Sequence, residues 1–245
     1  RGGRGSAMDP GHFRRSQNWI GGVRPGKAIF VPPPPEKVVE LMSDLEKFIH
    51  DDTQNLPPLI KAALAHVQFE TIHPFLDGNG RLGRLLITLL LVADGVLPKP
   101  VLYLSLYFKE HRQLYYDHLQ AVRMKGDWES WCDFFLDGVA TTAAHITRDA
   151  KKIIDLLERD RGRMHRLGKS APTGLKIHDY LLRKPYLSVV KAAKALDISI
   201  PAINNTVIKL QEIGVLTELT GRPRNRLYVY KDYMDILAVG TEPLE

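Results

Sequence analysis

Cysteine is nearly missing from this 245-residue sequence, where Cys132 stands alone. One thiol closes no internal disulfide, and no basic, apolar, small-residue leader opens the chain, so a stapled secreted scaffold is excluded and a reducing cytoplasmic setting is expected. Long hydrophobic runs are also lacking. The longest, Leu85 to Ala93 with Thr88 inside it, is about half of the roughly 20 residues that a membrane span needs. Aromatic residues are only 8%, yet apolar residues reach 44% and charged residues 25%, the composition of a folding globular chain. Its length suits one large domain or two modest ones. The sequence opens on Arg1 with a Gly/Arg-rich start, as expected of a fragment of a longer protein.

The net charge of +6 is unevenly placed. Residues 1–140 hold 16 Lys/Arg against 16 Asp/Glu, whereas 141–245 hold 18 against 12. Two electrostatic characters point to two jobs. The opening segment has little periodicity and closes on Pro32 to Pro35, a run restricted to extended or polyproline II backbone that reads as a stiff connector. Within it, residues 19–22 and 28–31 form two candidate strands joined at Arg24-Pro25-Gly26.

From Glu36 the spacing becomes helical: Val38, Met42, Leu45 and Phe48 or Ile49 form one stripe, and Ile60, Leu64 and Val67 form a second after Pro57-Pro58. A third helix is expected from about Arg81 to Ala93. It is apolar nearly all round, the mark of a central buried element, and Asp94-Gly95 ends it. Further helices are expected over 106–124 and 128–145, the latter continuing as a polar helix to about Leu167. Beyond a loop at 168–174, the pattern predicts helices over 175–183, 188–196 and 201–213 and a strand pair around Gly221 to Asn225, the arrangement of a winged helix-turn-helix.

One string carries chemistry: His73-Pro74-Phe75-Leu76-Asp77-Gly78-Asn79-Gly80-Arg81-Leu82-Gly83-Arg84. Gly78 and Gly80 permit a tight path with bare amides, and the following helix contributes about half a positive charge at its N-terminus. That combination cradles anions. Arg81 and Arg84 add guanidinium groups for phosphate oxygens, Asp77 is a hard oxygen ligand suited to Mg²⁺, and His73 titrates near neutrality as a base for an incoming nucleophile. Gly78-x-Gly80-x-x-Gly83 also satisfies the dinucleotide fingerprint, but a helix precedes it instead of a strand. Gly78 and Gly83 have P-loop spacing, but Arg84-Leu85 stands where Lys-Ser/Thr is required.

The order His, Pro-Phe, acid, Gly-Asn-Gly-Arg and a second Arg closely resembles the signature of the Fic family. Phe13 to Gly22 resembles the family's flap, and Tyr115-Tyr116 its nucleotide-side tyrosine pair. The resemblance implies a mainly α fold: a Fic-type helical bundle over 1–138 (flap 13–31, helical core 36–138), a linking helix and loop over 139–172, and a winged helix-turn-helix over 173–240. It further implies a protein adenylyltransferase that moves AMP from Mg-ATP to a hydroxyl of a target protein, or of itself, with release of pyrophosphate. By the same resemblance His73 is the general base and Asp77 holds magnesium. Gly78, Asn79, Gly80, Arg81, Leu82, Gly83 and Arg84 bind the phosphates, with Arg84 on the γ-phosphate, and Tyr115 and Tyr116 line the nucleotide pocket. Asn18, Trp19 and Ile20 of the flap pair with an extended target segment.

Many Fic proteins carry a self-inhibitory Ser/Thr-x-x-x-Glu-Gly/Asn helix, but no glutamate here is followed by Gly or Asn. Truncation or a partner protein is the expected reason, and activity without that restraint is the expected consequence. Removal of AMP is not expected, because the glutamate it recruits is not seen. In the last segment, Asn204, Asn205, Lys209, Arg222, Arg224 and Arg226 are candidate DNA contacts. Protein docking or homodimerisation is the other use of such a module. Two rival functions stay open at this point, a transcription regulator that senses a nucleotide without catalysis and a Fic transferase with another donor group.

Overall fold

The computed structural model describes residues 9–51, 53 and 55–238. The backbone divides between residues 144 and 145 into two compact units. In the first, α1 (Val38–His50), α2 (Pro58–Ile72), α3 (Asn79–Ala93), α4 (Leu104–Glu110) and α5 (Arg112–Lys125) precede the start of α6 (Trp128–His165).

Pro57 and Pro58 open α2, where a missing N–H costs nothing and the fixed φ suits the first turn. Ala62, Ala63 and Ala65 then let its neighbours approach closely, and its second half is buried almost completely. The central helix is therefore α2. The expectation that α3 fills that place is corrected, because Leu82, Leu85 and Leu89 are exposed and line a groove of about 580 Å³ beside α1. Trp131 of α6 is fully buried and its indole N–H donates to the Ala63 carbonyl at 3.0 Å, fastening α6 to α2.

The single helix expected over 106–124 is broken at His111, which leaves helical geometry at φ −105 and ψ 37. Its ring stacks on Tyr107 at 4.3 Å and donates to the Tyr107 carbonyl at 3.0 Å, which stabilises the break. In the N-terminal segment, the expected strand pair reduces to one antiparallel bridge, Ile20 with Phe30. Gly21 and Gly22 turn the chain there at positive φ, and a Cβ on Gly22 would lie 2.2 Å from the Lys27 carbonyl oxygen. Only glycine fits that turn.

The second unit takes up the rest of α6, then α7 (Ala171–Arg183), β1 (Tyr186–Ser188), α8 (Val189–Leu196), α9 (Ile200–Glu212), β2 (Thr217–Glu218), β3 (Leu227–Val229) and α10 (Lys231–Ala238). The strands form an antiparallel sheet in the order β1-β3-β2, with Leu187 and Glu218 both opposite Tyr228. Leu156 and Met164 of α6 belong to this core, together with Ile177, Leu187, Ile203 and Leu210. The end of α6 is thus part of the second unit, although the sequence reading treats it as a separate linker. Asp160 of α6 is fully buried: it accepts from the Tyr230 hydroxyl at 2.7 Å, Arg159 Nε at 2.9 Å and Arg163 Nη1 at 3.4 Å.

Candidate functional site

The site forms where one helix ends and the next begins. α2 stops at His73, whose backbone sits in the left-handed region at φ 50 and ψ 59 while its N–H still bonds the Phe69 carbonyl at 2.9 Å. Five residues later Gly78, at φ 88, starts α3. Between them Asn79 closes the loop on itself: its side chain accepts from the Phe75 N–H at 2.9 Å and donates to the Phe75 carbonyl at 2.7 Å. The buried Asn79 side chain is committed to the loop, so what it can offer a ligand is its backbone amide. No side chain caps the N-terminus of α3, and the first amides of a helix lack acceptors within it.

Around these amides the motif arginines divide. Arg81 is exposed and pairs with Asp77 at 3.3 Å. Arg84 lies along the first turn, its Nε donating to Ser105 Oγ at 3.1 Å and its Nη1 standing 3.1 Å from the point where a Cβ on Gly80 would fall. Gly80 is therefore needed to seat the Arg84 guanidinium, whereas Gly83 serves a different purpose. A Cβ on Gly83 would meet Glu70 Oε1 at 2.5 Å, Phe69 at 3.1 Å and His66 at 3.2 Å, so this glycine lets α2 and α3 touch. Leu82 turns toward the groove beside α1.

The tyrosine pair divides in the same way. Tyr116 is half exposed, with Arg112 over its ring at 5.8 Å. Tyr115 is buried and its hydroxyl is 2.9 Å from His66 Nε2. His66 Nδ1 lies 2.9 Å from the Gly83 carbonyl, which can only accept, so the ring carries its proton on Nδ1 and Nε2 accepts from the tyrosine. Burial pushes the His66 pKa down to about 4. This neutral histidine joins α2, α3 and α5.

His73 is half-buried, and its Nδ1 is sealed from solvent. Burial is the main force that lowers its pKa to about 4; Arg123 and Arg14 add to it, and the Glu70 backbone opposes it. Glu70 itself lies under the first turn of α3. Its Oε1 is buried and unpartnered, and burial raises its pKa to about 7 against the pull of Arg84 and Arg123. In the flap, Asn18 donates to the Phe75 carbonyl at 3.2 Å, Ile20 makes the bridge to Phe30, and Trp19 is exposed.

Four residues that sequence reasoning did not assign thus organise the loop: Arg14, His66, Glu70 and Arg123. His66, Glu70 and His73 are spaced four and three apart, one polar stripe on an apolar helix, and that spacing was a usable signal. Arg14 and Arg123 donate to backbone carbonyls, which leave no pattern of partner residues.

In the second unit, Asn204 and Asn205 are exposed on α9, and Arg222 and Arg224 are exposed between β2 and β3. Lys209 is held by Ser170 Oγ at 2.9 Å, and Arg226 is engaged by Glu218 at 3.6 Å and by the Arg222 carbonyl at 2.9 Å.

These features define a mainly helical protein with a basic, glycine-turned helix start set directly behind a half-buried histidine. Residues 3–91 match the Fic/DOC family, and the chain carries a Fic/DOC domain. It is similar to protein adenylyltransferase Fic of Aedes aegypti, at 38% identity over 131 residues, which covers 53% of this chain and 23% of that protein. The relative of that name in Drosophila virilis is 32% identical over 169 residues, covering 67% of this chain and 32% of that protein. The aligned region thus spans 23% to 32% of the length of these curated relatives. The crystal structure of a Fic family protein from Desulfovibrio desulfuricans G20 has a TM-score of 0.51 at 24% identity, over 93% of this chain and 64% of that one, and shares the fold.

Proposed function

We propose that this chain is a protein adenylyltransferase. A hydroxyl of a protein side chain attacks the α-phosphorus of ATP, its proton passes to His73, the bond to the bridging oxygen breaks and pyrophosphate leaves. The observation that carries this reading is the pairing of a neutral, half-buried histidine at the end of α2 with the uncapped start of α3 in one loop. With Nδ1 sealed, Nε2 is the nitrogen left to meet the hydroxyl. The amides of Asn79 and Gly80 and the guanidinium groups of Arg81 and Arg84 receive the phosphates, and Tyr116 offers a face to the base. Such transfer depends on positioning and charge more than on covalent help from the protein.

Magnesium fits this donor set. Among the described residues no three His, Cys, Asp or Glu side chains cluster to hold an ion unaided. Asp77 presents one hard carboxylate on the rim, as suits an ion whose remaining ligands are phosphates and water. Asp77, now paired with Arg81, would hold it, and the ion would neutralise phosphate charge. The exposed flap around Trp19 and the Ile20–Phe30 bridge is read as the dock for the target segment.

Incubation with ATP labelled at the α-phosphate tests the reading. Label on the chain itself or on a target protein is expected, with loss in His73→Ala under conditions where that variant remains folded. Absence of label from the parent protein, alone and with cell extract as the source of target, would refute it.

The order of helices and strands in the second unit supports a winged helix-turn-helix. Asn204, Asn205, Arg222 and Arg224 are the contacts its exposure favours, since Lys209 and Arg226 are engaged within the protein. Duplex DNA affinity that falls steeply with salt, and falls further in Arg224→Ala, is the expected result. Absence of binding at low salt would remove this role. Among the described residues no helix is long and apolar enough to cross a membrane. The lone cysteine favours the cytoplasm as the site of action.

A further inference from the structure

We propose that Arg14 and Arg123 are positioning residues for His73: two guanidinium groups, one from the N-terminal segment and one from α5, grip the last carbonyls of α2 and so fix where the imidazole stands. The proposal rests on the adenylyltransferase reading and names the parts that aim its base.

The final carbonyls of a helix have no intrahelical donor, and they carry the negative end of its dipole. Here those oxygens are taken up from outside the helix. Arg123 Nη2 donates to the Glu70 carbonyl at 3.0 Å, and its Nε donates to Thr71 Oγ1 at 3.1 Å. Arg14 Nη2 donates to the Ile72 carbonyl at 3.3 Å, its Nε to the His73 carbonyl at 2.9 Å, and its backbone N–H to the Pro74 carbonyl at 2.8 Å. The Arg14 guanidinium is anchored in turn by the carbonyls of Pro33 and Ser16. Three consecutive carbonyls, those of residues 72, 73 and 74, thus belong to one arginine.

The grip falls where the backbone needs it. His73 is a non-glycine residue in left-handed geometry, a state that persists only when its surroundings hold it. If the His73 carbonyl swung free, the φ and ψ that direct the ring would relax with it. Arg123 also supports the flap: Phe30 lies against its guanidinium at 3.9 Å, and Gln120 of the same helix donates to the Ile29 carbonyl at 3.4 Å. Base and flap therefore share one support. Both arginines place positive charge near the imidazole and favour its neutral form, the form that accepts a proton.

Lysine cannot substitute fully at either place, because an ammonium lacks the planar fork that bridges two acceptors while stacking on a ring. Arg14 is almost wholly buried, and its replacement would strand several carbonyls, so Arg123 carries the test. In Arg123→Gln the transfer rate at saturating ATP is expected to fall about tenfold to a hundredfold. KM for ATP should stay within about twofold, and Arg123→Lys should recover part of the rate. The acidic limb of the pH–rate profile should move to higher pH, and NMR titration of His73 in the same variant should show its midpoint rising. An unchanged rate and pH profile, or a His73 midpoint that does not move in folded Arg123→Gln, would overturn the proposal. A parent protein that transfers no label would sink the adenylyltransferase reading alone, because the NMR titration still judges the positioning.

Discussion

Glu70 offers a measurement in which removing a charge makes the protein stronger. Its carboxyl is buried between α2 and the first turn of α3, Oε1 has no partner, and its pKa is raised from 4.5 to about 7. A group whose folded pKa is raised adds stability below its unfolded value and loses it as pH climbs through the folded one. The protein is thus penalised between pH 4.5 and about 7, because the unfolded chain releases the proton readily and the folded chain keeps it. At about 1.4 kcal/mol per pH unit, that interval is worth about 3 kcal/mol. Glu70→Gln keeps the shape of the protonated form and cannot ionise. Its stability relative to the parent should therefore rise by about 2–3 kcal/mol between pH 5 and pH 8. Trp19, Trp128 and Trp131 all lie in the first unit, so their fluorescence during urea unfolding reports that unit selectively. A difference between variant and parent that is the same at both pH values would refute the burial argument for Glu70.

Other substitutions separate packing from chemistry. Gly83→Ala should destabilise the first unit by about 1–2 kcal/mol by thermal melting, since overpacking at the α2–α3 contact outweighs the gain in helix propensity. Gly80→Ala should leave the melt nearly unchanged, because only the tip of Arg84 must move, yet ATP affinity measured by calorimetry should fall. His66→Leu strands the Tyr115 hydroxyl and removes the second bond to the Gly83 carbonyl, and should cost about 2–4 kcal/mol in urea unfolding. In the second unit, Asp160→Ala leaves Arg159, Arg163 and Tyr230 without their shared acceptor and should cost about 3–5 kcal/mol, read by hydrogen exchange in α7 and α9.

The candidate loop was legible because its parts are contiguous: histidine, acid, glycines and arginines fall within one stretch, His73 to Arg84, whose spacing suits an anion cradle. Helix periodicity likewise located α1, α2 and the end of α3. What sequence could not rank was burial. A leucine-rich run reads as central, yet three of α3's leucines face an exposed groove, while the alanines of α2 admit the closer packing. That Leu82 faces the groove, Gly83 the α2–α3 contact and Tyr115 the core was not legible for a related reason. Adjacent positions on a helix point about 100° apart, and which side meets the ligand depends on the neighbouring helix. The break at His111 is made by a ring packed on Tyr107, a local contact with no glycine or proline to announce it.

The loop has electrical polarity, and the polarity bears on how His73 would act as the proposed base. The negative end of α2 is neutralised by Arg14 and Arg123, and the positive end of α3 stands open beside Arg84. In this state His73, with a pKa of about 4, stays neutral at pH 7 but is a weak proton acceptor. A triphosphate on the start of α3 would bring several negative charges close to the ring and offset the two arginines, so the imidazole would become more basic as the nucleotide binds. Base strength would then rise only when there is a phosphorus to attack. The pH dependence of kcat/KM, which reports the free protein, should show its acidic limb near pH 4, and that of kcat should show it at higher pH. Coincident limbs would mean that the nucleotide's charge does not reach the ring.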